Sequence, residues 1–241
     1  MKKILLIAAM IVLSNLTHAQ DQGFKSFQGS MSDISLQSIT KEELFKHMDR
    51  STIKLGQSIC SNRALMWLAD FKLEHNIDGG KIFLFYTNKT GSTGLKTWWY
   101  HVSPMIVEKG QEWVMDAGFG SIKKPLQPSE WINQFIGSPV CREITTNDHE
   151  LIDLMFRGHT FPENYHGEKN DCYFIKAPAG YWTPSSVAMH LLGVDGQGRA
   201  VNFTRNSINK NEVYSACREA VTGPLGGVLG AGKKKCEKYL N

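Results

Sequence analysis

The chain has 241 residues, 41% of them hydrophobic, and a formal charge of +4. That is enough for one domain with a full core, and too little charge for nucleic acid to be the main partner, because phosphate binding needs a concentrated basic footprint. The one basic run of three, Lys233-Lys234-Lys235, reads as a solvated surface.

Residues 1–19, MKKILLIAAMIVLSNLTHA, carry two lysines, an apolar run from Ile4 to Leu13 and a small-residue ending at Ala19. This is the pattern of a cleaved export signal, and the run is too short for a membrane span of roughly 20 residues. The expected product is soluble, with 222 residues (241 minus 19) and a charge of +2. A polar lead-in follows to Leu36. Thr40 and Glu43 then have the spacing of a capping box, with Leu44 and Met48 sharing a face behind them.

After a break near Gly56, the stretch GQSICSNRALMWLADF turns from polar to helical at Cys60. Ala64, Leu65, Leu68, Ala69 and Leu73 recur at helical spacing until 76–80 ends the element. Lys81 to Tyr86 reads as a strand, 88–94 as a loop, and Trp98 to Val107 as a second strand, broken or bulged near Pro104. Glu112 to Asp116 makes a third strand, ended by Gly118 and Gly120. Short connections favour an antiparallel meander, so a helix followed by strands points to an α+β arrangement. Further on, Pro128-Ser129-Glu130-Trp131 starts a helix with Trp131 and Phe135 one turn apart. Helices are also expected at 147–157 and 211–221, and strands at 172–176 and 191–202. The glycine-rich stretch 223–232 lacks the spacing of a phosphate loop and reads as a flexible segment.

Five cysteines, Cys60, Cys141, Cys172, Cys217 and Cys236, leave at least one thiol unpaired. The simplest arrangement in an exported chain is two bridges among the last four, in any of three pairings, with Cys60 free. No two cysteines have the close spacing of a structural zinc site, and no metal or other cofactor is expected. Cys60 at a helix start has unpaired amides and the helix dipole to stabilise a thiolate. His101 lies mid-strand among aromatic and β-branched residues, and Asp116 ends the next strand. A helix end packed on a short antiparallel sheet would join Cys60, His101 and Asp116 as nucleophile, base and orienting group. Gln57 and the Cys60 backbone N–H are candidate oxyanion donors. Each residue also has a structural reading: a small buried sulfur, a core histidine, a turn aspartate.

The segments CSNRA, YHVSP and VMDAGF, in this order and spacing, resemble the bacterial protein-glutaminase (protein-glutamine deamidase) family, over about residues 50–185. The resemblance implies a papain- and transglutaminase-like core, with Cys60 as nucleophile, His101 as base and Asp116 as its orienting residue. It further implies a secreted or periplasmic hydrolase that converts glutamine side chains of protein or peptide substrates to glutamate and releases ammonia. Trp98, Trp99, Tyr181 and Trp182 are candidates for the wall of its substrate groove. The expected organisation is a signal peptide at 1–19 and a single catalytic domain at 20–241, with a C-terminal extension from about residue 200. The chain departs from the family in two places. Only 40 residues lie between Ala19 and Cys60, too few for the family's long pro-region, and Met115 and Ala117 flank Asp116 where the family has isoleucine and proline. A peptidase or acyl transferase would use the same triad, and a disulfide-stapled binding module would keep Cys60 inert.

Overall fold

The computed structural model describes residues 31–48, 50, 60–87, 100–137, 139–145, 148, 150–151, 154 and 161–179, and the single positions 211, 218 and 237. The expected export signal, the glycine-rich stretch, the strand at 191–202, Cys217 and Cys236 lie outside the described residues, as do most of the helices expected at 147–157 and 211–221.

Three α-helices, a short 3-10 helix (Ile34–Leu36) and seven strands make up the described fold. Helix α1 (Lys41–His47) starts at the capping box read from the sequence. The Thr40 N–H donates to Glu43 Oε2 at 2.9 Å and the Glu43 N–H returns to Thr40 Oγ1 at 3.3 Å. Helix α2 (Cys60–His75) is buried on almost every side, through Leu65, Met66, Trp67, Leu68, Ala69 and Phe71. It ends where Asn76 takes a left-handed φ of 55° and the Ile77 N–H closes on the Phe71 carbonyl at 2.9 Å.

Five strands form the main sheet in the order β3-β2-β1-β7-β4. They are β1 (Gly80–Tyr86), β2 (Tyr100–Glu108), β3 (Gln111–Val114), β4 (Cys141–Glu143) and β7 (Cys172–Pro178), while β5 (Asn164–Tyr165) and β6 (Glu168–Lys169) make a separate hairpin. The expected meander is present as β1–β2–β3, all antiparallel, and β7 returns antiparallel along the other side of β1. The sheet is not antiparallel throughout, because β4 runs parallel to β7. Cys141 and Cys172 face each other in that parallel pair and are joined by a disulfide, one of the two bridges expected among the last four cysteines, and Cys60 is a free, buried thiol.

Two further expectations need correcting. The strand through Pro104 runs unbroken from Tyr100 to Glu108. Proline is tolerated because its carbonyl faces the β3 side, where it accepts the Met115 N–H at 2.9 Å, so the missing proline N–H falls past the last β2–β3 rung. The third strand stops at Val114, and Asp116 lies two residues beyond it.

Side chains alternate across the sheet. Ile82, Leu84, Tyr86 and Met105 join α1, α2 and helix α3 (Pro128–Phe135) in one cluster. Phe83, Phe85, Val102, Tyr173 and Ile175 join Ile144, Leu151 and Phe161 in the other. The β2–β3 hairpin turns at Lys109 and Gly110, with φ of 53° and 71°. Asp33 ties this turn to the N-terminal segment, accepting both turn N–H groups at 3.0 and 2.9 Å. Hydrogen bonds from Ser35 and from the turn bring its carboxyl down to about 2. Among the described residues no helix is long and apolar enough to cross a membrane.

Among the described glycines the tightest approach is at Gly79, where a Cβ would stand 2.6 Å from Leu68 Cδ2 and 2.7 Å from the Met105 carbonyl oxygen. Gly79→Ala therefore forces α2 and β2 apart, and urea titration should record a loss of about 1–3 kcal/mol in unfolding free energy.

Candidate active site

The sheet's unequal strands make the site. Because β3 ends at Val114, opposite Met105, no strand among the described residues covers the outer edge of β2 from Tyr100 to Ser103. The N-terminus of α2 sits against this edge, and the Val102 N–H hydrogen-bonds the Cys60 sulfur. Cys60 and Ala64 accordingly pack with Val102 and Phe83, while the rest of α2 packs on the opposite face.

His101 projects to the face occupied by its partner Leu84 and is buried. Its Nε2–H donates to Asp116 Oδ2 at 2.8 Å. Cys60 is the ring's second neighbour, and its sulfur and the imidazole interact electrostatically. The Asp116 carboxylate takes two more donors, the Trp131 Nε1–H at 2.9 Å on Oδ2 and the Gly118 N–H at 3.1 Å on Oδ1. Phe119, Phe135 and Trp131 surround the imidazole at centroid distances of 4.8, 5.0 and 5.6 Å, the first edge-on and the last stacked.

Burial alone would leave all three groups neutral, and the network reverses that. Burial pushes the Cys60 thiol up, but His101, the Val102 N–H and the charge of Arg63 together bring it below its ordinary 9.0. His101 is opposed by burial and lifted to about 9 by Asp116 and Cys60. Burial pushes Asp116 up as well, and His101, Trp131 and Gly118 hold it below the usual carboxylate value. The network therefore favours a thiolate–imidazolium pair backed by a carboxylate over three neutral groups. This arrangement can attack an acyl carbon and then hand a proton to the leaving group.

The structure thus brings Cys60, His101 and Asp116 together. Gln57, Trp98, Trp99, Tyr181 and Trp182 lie outside the described residues. Sequence reasoning did not single out Trp131, Arg63, Phe119 or Phe135 for the site. The one-turn spacing of Trp131 and Phe135 marks a buried helix face, but the turn at 116–127 decides which carboxylate that face meets. Among the described residues no three His, Cys, Asp or Glu side chains converge as metal ligands.

Residues 29–135, which contain every residue of this network, match a family described as glutaminase. The NMR structure of protein-glutaminase from Chryseobacterium proteolyticum is similar at 14% identity, over 80% of this chain and 89% of that chain, with a TM-score of 0.36. No curated protein matches the chain.

Two measurements check the network. Alkylation of Cys60 by iodoacetamide should reach half its plateau rate below pH 9.0, the ordinary thiol value. Asp116→Asn removes the charge that keeps His101 protonated, so that midpoint should move up; an unmoved midpoint contradicts the ion pair. Trp131→Phe keeps an aromatic ring but removes a donor to a buried carboxylate. It should lower unfolding free energy by roughly 1.5–3 kcal/mol, the range for a hydrogen bond to a charged group.

Proposed function

We propose, for a chain whose residues 29–135 match a family described as glutaminase, that this protein hydrolyses the side-chain carboxamide of glutamine in proteins and peptides, with Cys60 as nucleophile. The observation that carries the reading is the buried chain of contacts from Cys60 through His101 to Asp116. The Cys60 thiolate adds to the carboxamide carbon, forming the C–S bond and moving the carbonyl electron pair onto oxygen. The backbone N–H of Cys60, which has no partner inside its helix, holds this oxyanion, with the Gln57 amide as its companion. Collapse reforms the carbonyl and breaks the C–N bond while the His101 imidazolium gives its proton to departing ammonia. Neutral His101 then takes a proton from water, which attacks the thioester and frees glutamate and the thiolate. Asp116 keeps Nε2 protonated throughout, so Nδ1 does the exchanging.

Trp98, Trp99, Tyr181 and Trp182 line the groove for the apolar stem of the glutamine in this reading. Residues 1–19 serve as an export signal, and the Cys141–Cys172 disulfide fits an oxidising destination. One catalytic domain spans 20–241, with an extension from about residue 200.

An unfolded glutamine-rich protein incubated with the full chain should release ammonia without new peptide fragments. Cys60→Ala should abolish the release, and His101→Ala should slow it by about 10²–10⁴-fold. Peptide fragments in place of ammonia would identify a peptidase. Neither product, from correctly folded protein, would refute the reading.

A further inference from the structure

Tyr86 ends β1 on the sheet face shared by Leu84 and by Leu84's cross-strand partner, His101. Residues two apart on a strand project to one side, so the phenol stands next to the imidazole on a common surface. Its ring is buried among Ile82, Leu84 and the helix side chains. Its hydroxyl is shut off from solvent and has no hydrogen-bond partner among the described residues. Burial raises the phenol above its ordinary 10.0, and the nearby charges of Cys60 and Asp116 raise it further, so the oxygen keeps its proton. A buried donor without an acceptor destabilises the fold, and phenylalanine would fill the same space without that cost. Packing therefore accounts for the ring and leaves the hydroxyl without a purpose.

We propose that the Tyr86 hydroxyl is a hydrogen-bond donor to the oxygen of the scissile carboxamide, and that this oxygen is the acceptor it lacks in the free enzyme. As Cys60 sulfur adds to the carbon and the carbonyl electron pair moves to oxygen, the phenol O–H donates to that oxyanion beside the Cys60 N–H. The phenolic proton stays on Tyr86, and the proton that ammonia needs comes from His101. Because the hydroxyl is closed to solvent in the free enzyme, its neighbours must give way as the substrate oxygen enters. Once they do, a donor held by the sheet meets the developing charge in place, which is where such groups contribute most to rate. The inference rests on the deamidase reading for the identity of the substrate, but not for the anion itself, which any acyl attack by Cys60 creates.

The test is Tyr86→Phe in the full chain, with a glutamine peptide as substrate and, as a probe, the same peptide carrying an aldehyde in place of the carboxamide. Addition of the thiol to the aldehyde gives a tetrahedral adduct with the oxyanion's position filled. The variant should lose about 100-fold or more in kcat with KM within about two-fold. It should also need about 100-fold more aldehyde to protect Cys60 from iodoacetamide. Alkylation without aldehyde should stay within about two-fold of wild type, and the urea midpoint should be no lower, because an unsatisfied group has been removed. A lower midpoint, or a fall in alkylation matching the fall in kcat, would assign the hydroxyl a structural role and overturn the proposal. Wild-type protein that is protected by the aldehyde yet releases no ammonia refutes the deamidase reading alone. Equal aldehyde protection of the two proteins overturns the Tyr86 assignment whatever the ammonia result.

Discussion

A carboxylate out of water is the constraint around which this site is organised. Asp116 is buried, and an isolated buried charge costs far more than a small domain can tolerate. It survives as an anion because three donors from three places meet it: the His101 ring on β2, the Trp131 indole on α3 and the Gly118 N–H in the turn that follows. Each donor fixes a piece of the chain relative to the others. The carboxylate thereby sets the imidazole's orientation and charge, and the imidazole sets the state of the Cys60 sulfur.

The second constraint is geometric. A β3 as long as its neighbour would have paired with the outer edge of β2 and closed the place where α2 now begins. Its early end turns a backbone edge into a socket, so the Val102 N–H that a strand carbonyl would have taken goes to sulfur instead. Position and electrostatics thus come from one feature. The helix start supplies amides, the exposed rung supplies another, and Arg63, about one turn along α2, adds charge of the same sign.

Much of this was legible in the residues alone. Thr40 and Glu43 mark a helix start because capping chemistry is local, and the unbroken apolar run from Ile82 to Tyr86 marks a strand buried on both faces. A helix start and two consecutive strands made Cys60, His101 and Asp116 one candidate trio, and the resemblance of CSNRA, YHVSP and VMDAGF to the protein-glutaminase family is what singled it out. What stayed hidden depends on contacts distant in sequence. Nothing around Cys141 announces that β4 lies parallel to β7, and nothing around Trp131 announces that its indole shares a carboxylate oxygen with His101. Pro104 misleads as a breaker because only the length of the neighbouring strand says which side its missing N–H faces.

The placement of β7 bears on how the chain reaches this state. Every member of the Cys60–His101–Asp116–Trp131 network falls within the family match at 29–135, but the strand that completes β1 begins only at Cys172. Until that strand arrives, β1 carries a bare apolar edge along Phe83 and Phe85, and the sheet supporting His101 is open on one side. Closing it means bringing Gly80 to Pro178 across a long stretch of intervening chain, a slow and entropically demanding step compared with forming the β2–β3 hairpin. The topology thus sets a hierarchy of loop closures: the contacts among Cys60, His101, Asp116 and Trp131 close shorter loops than the β1–β7 pairing that completes the sheet around them.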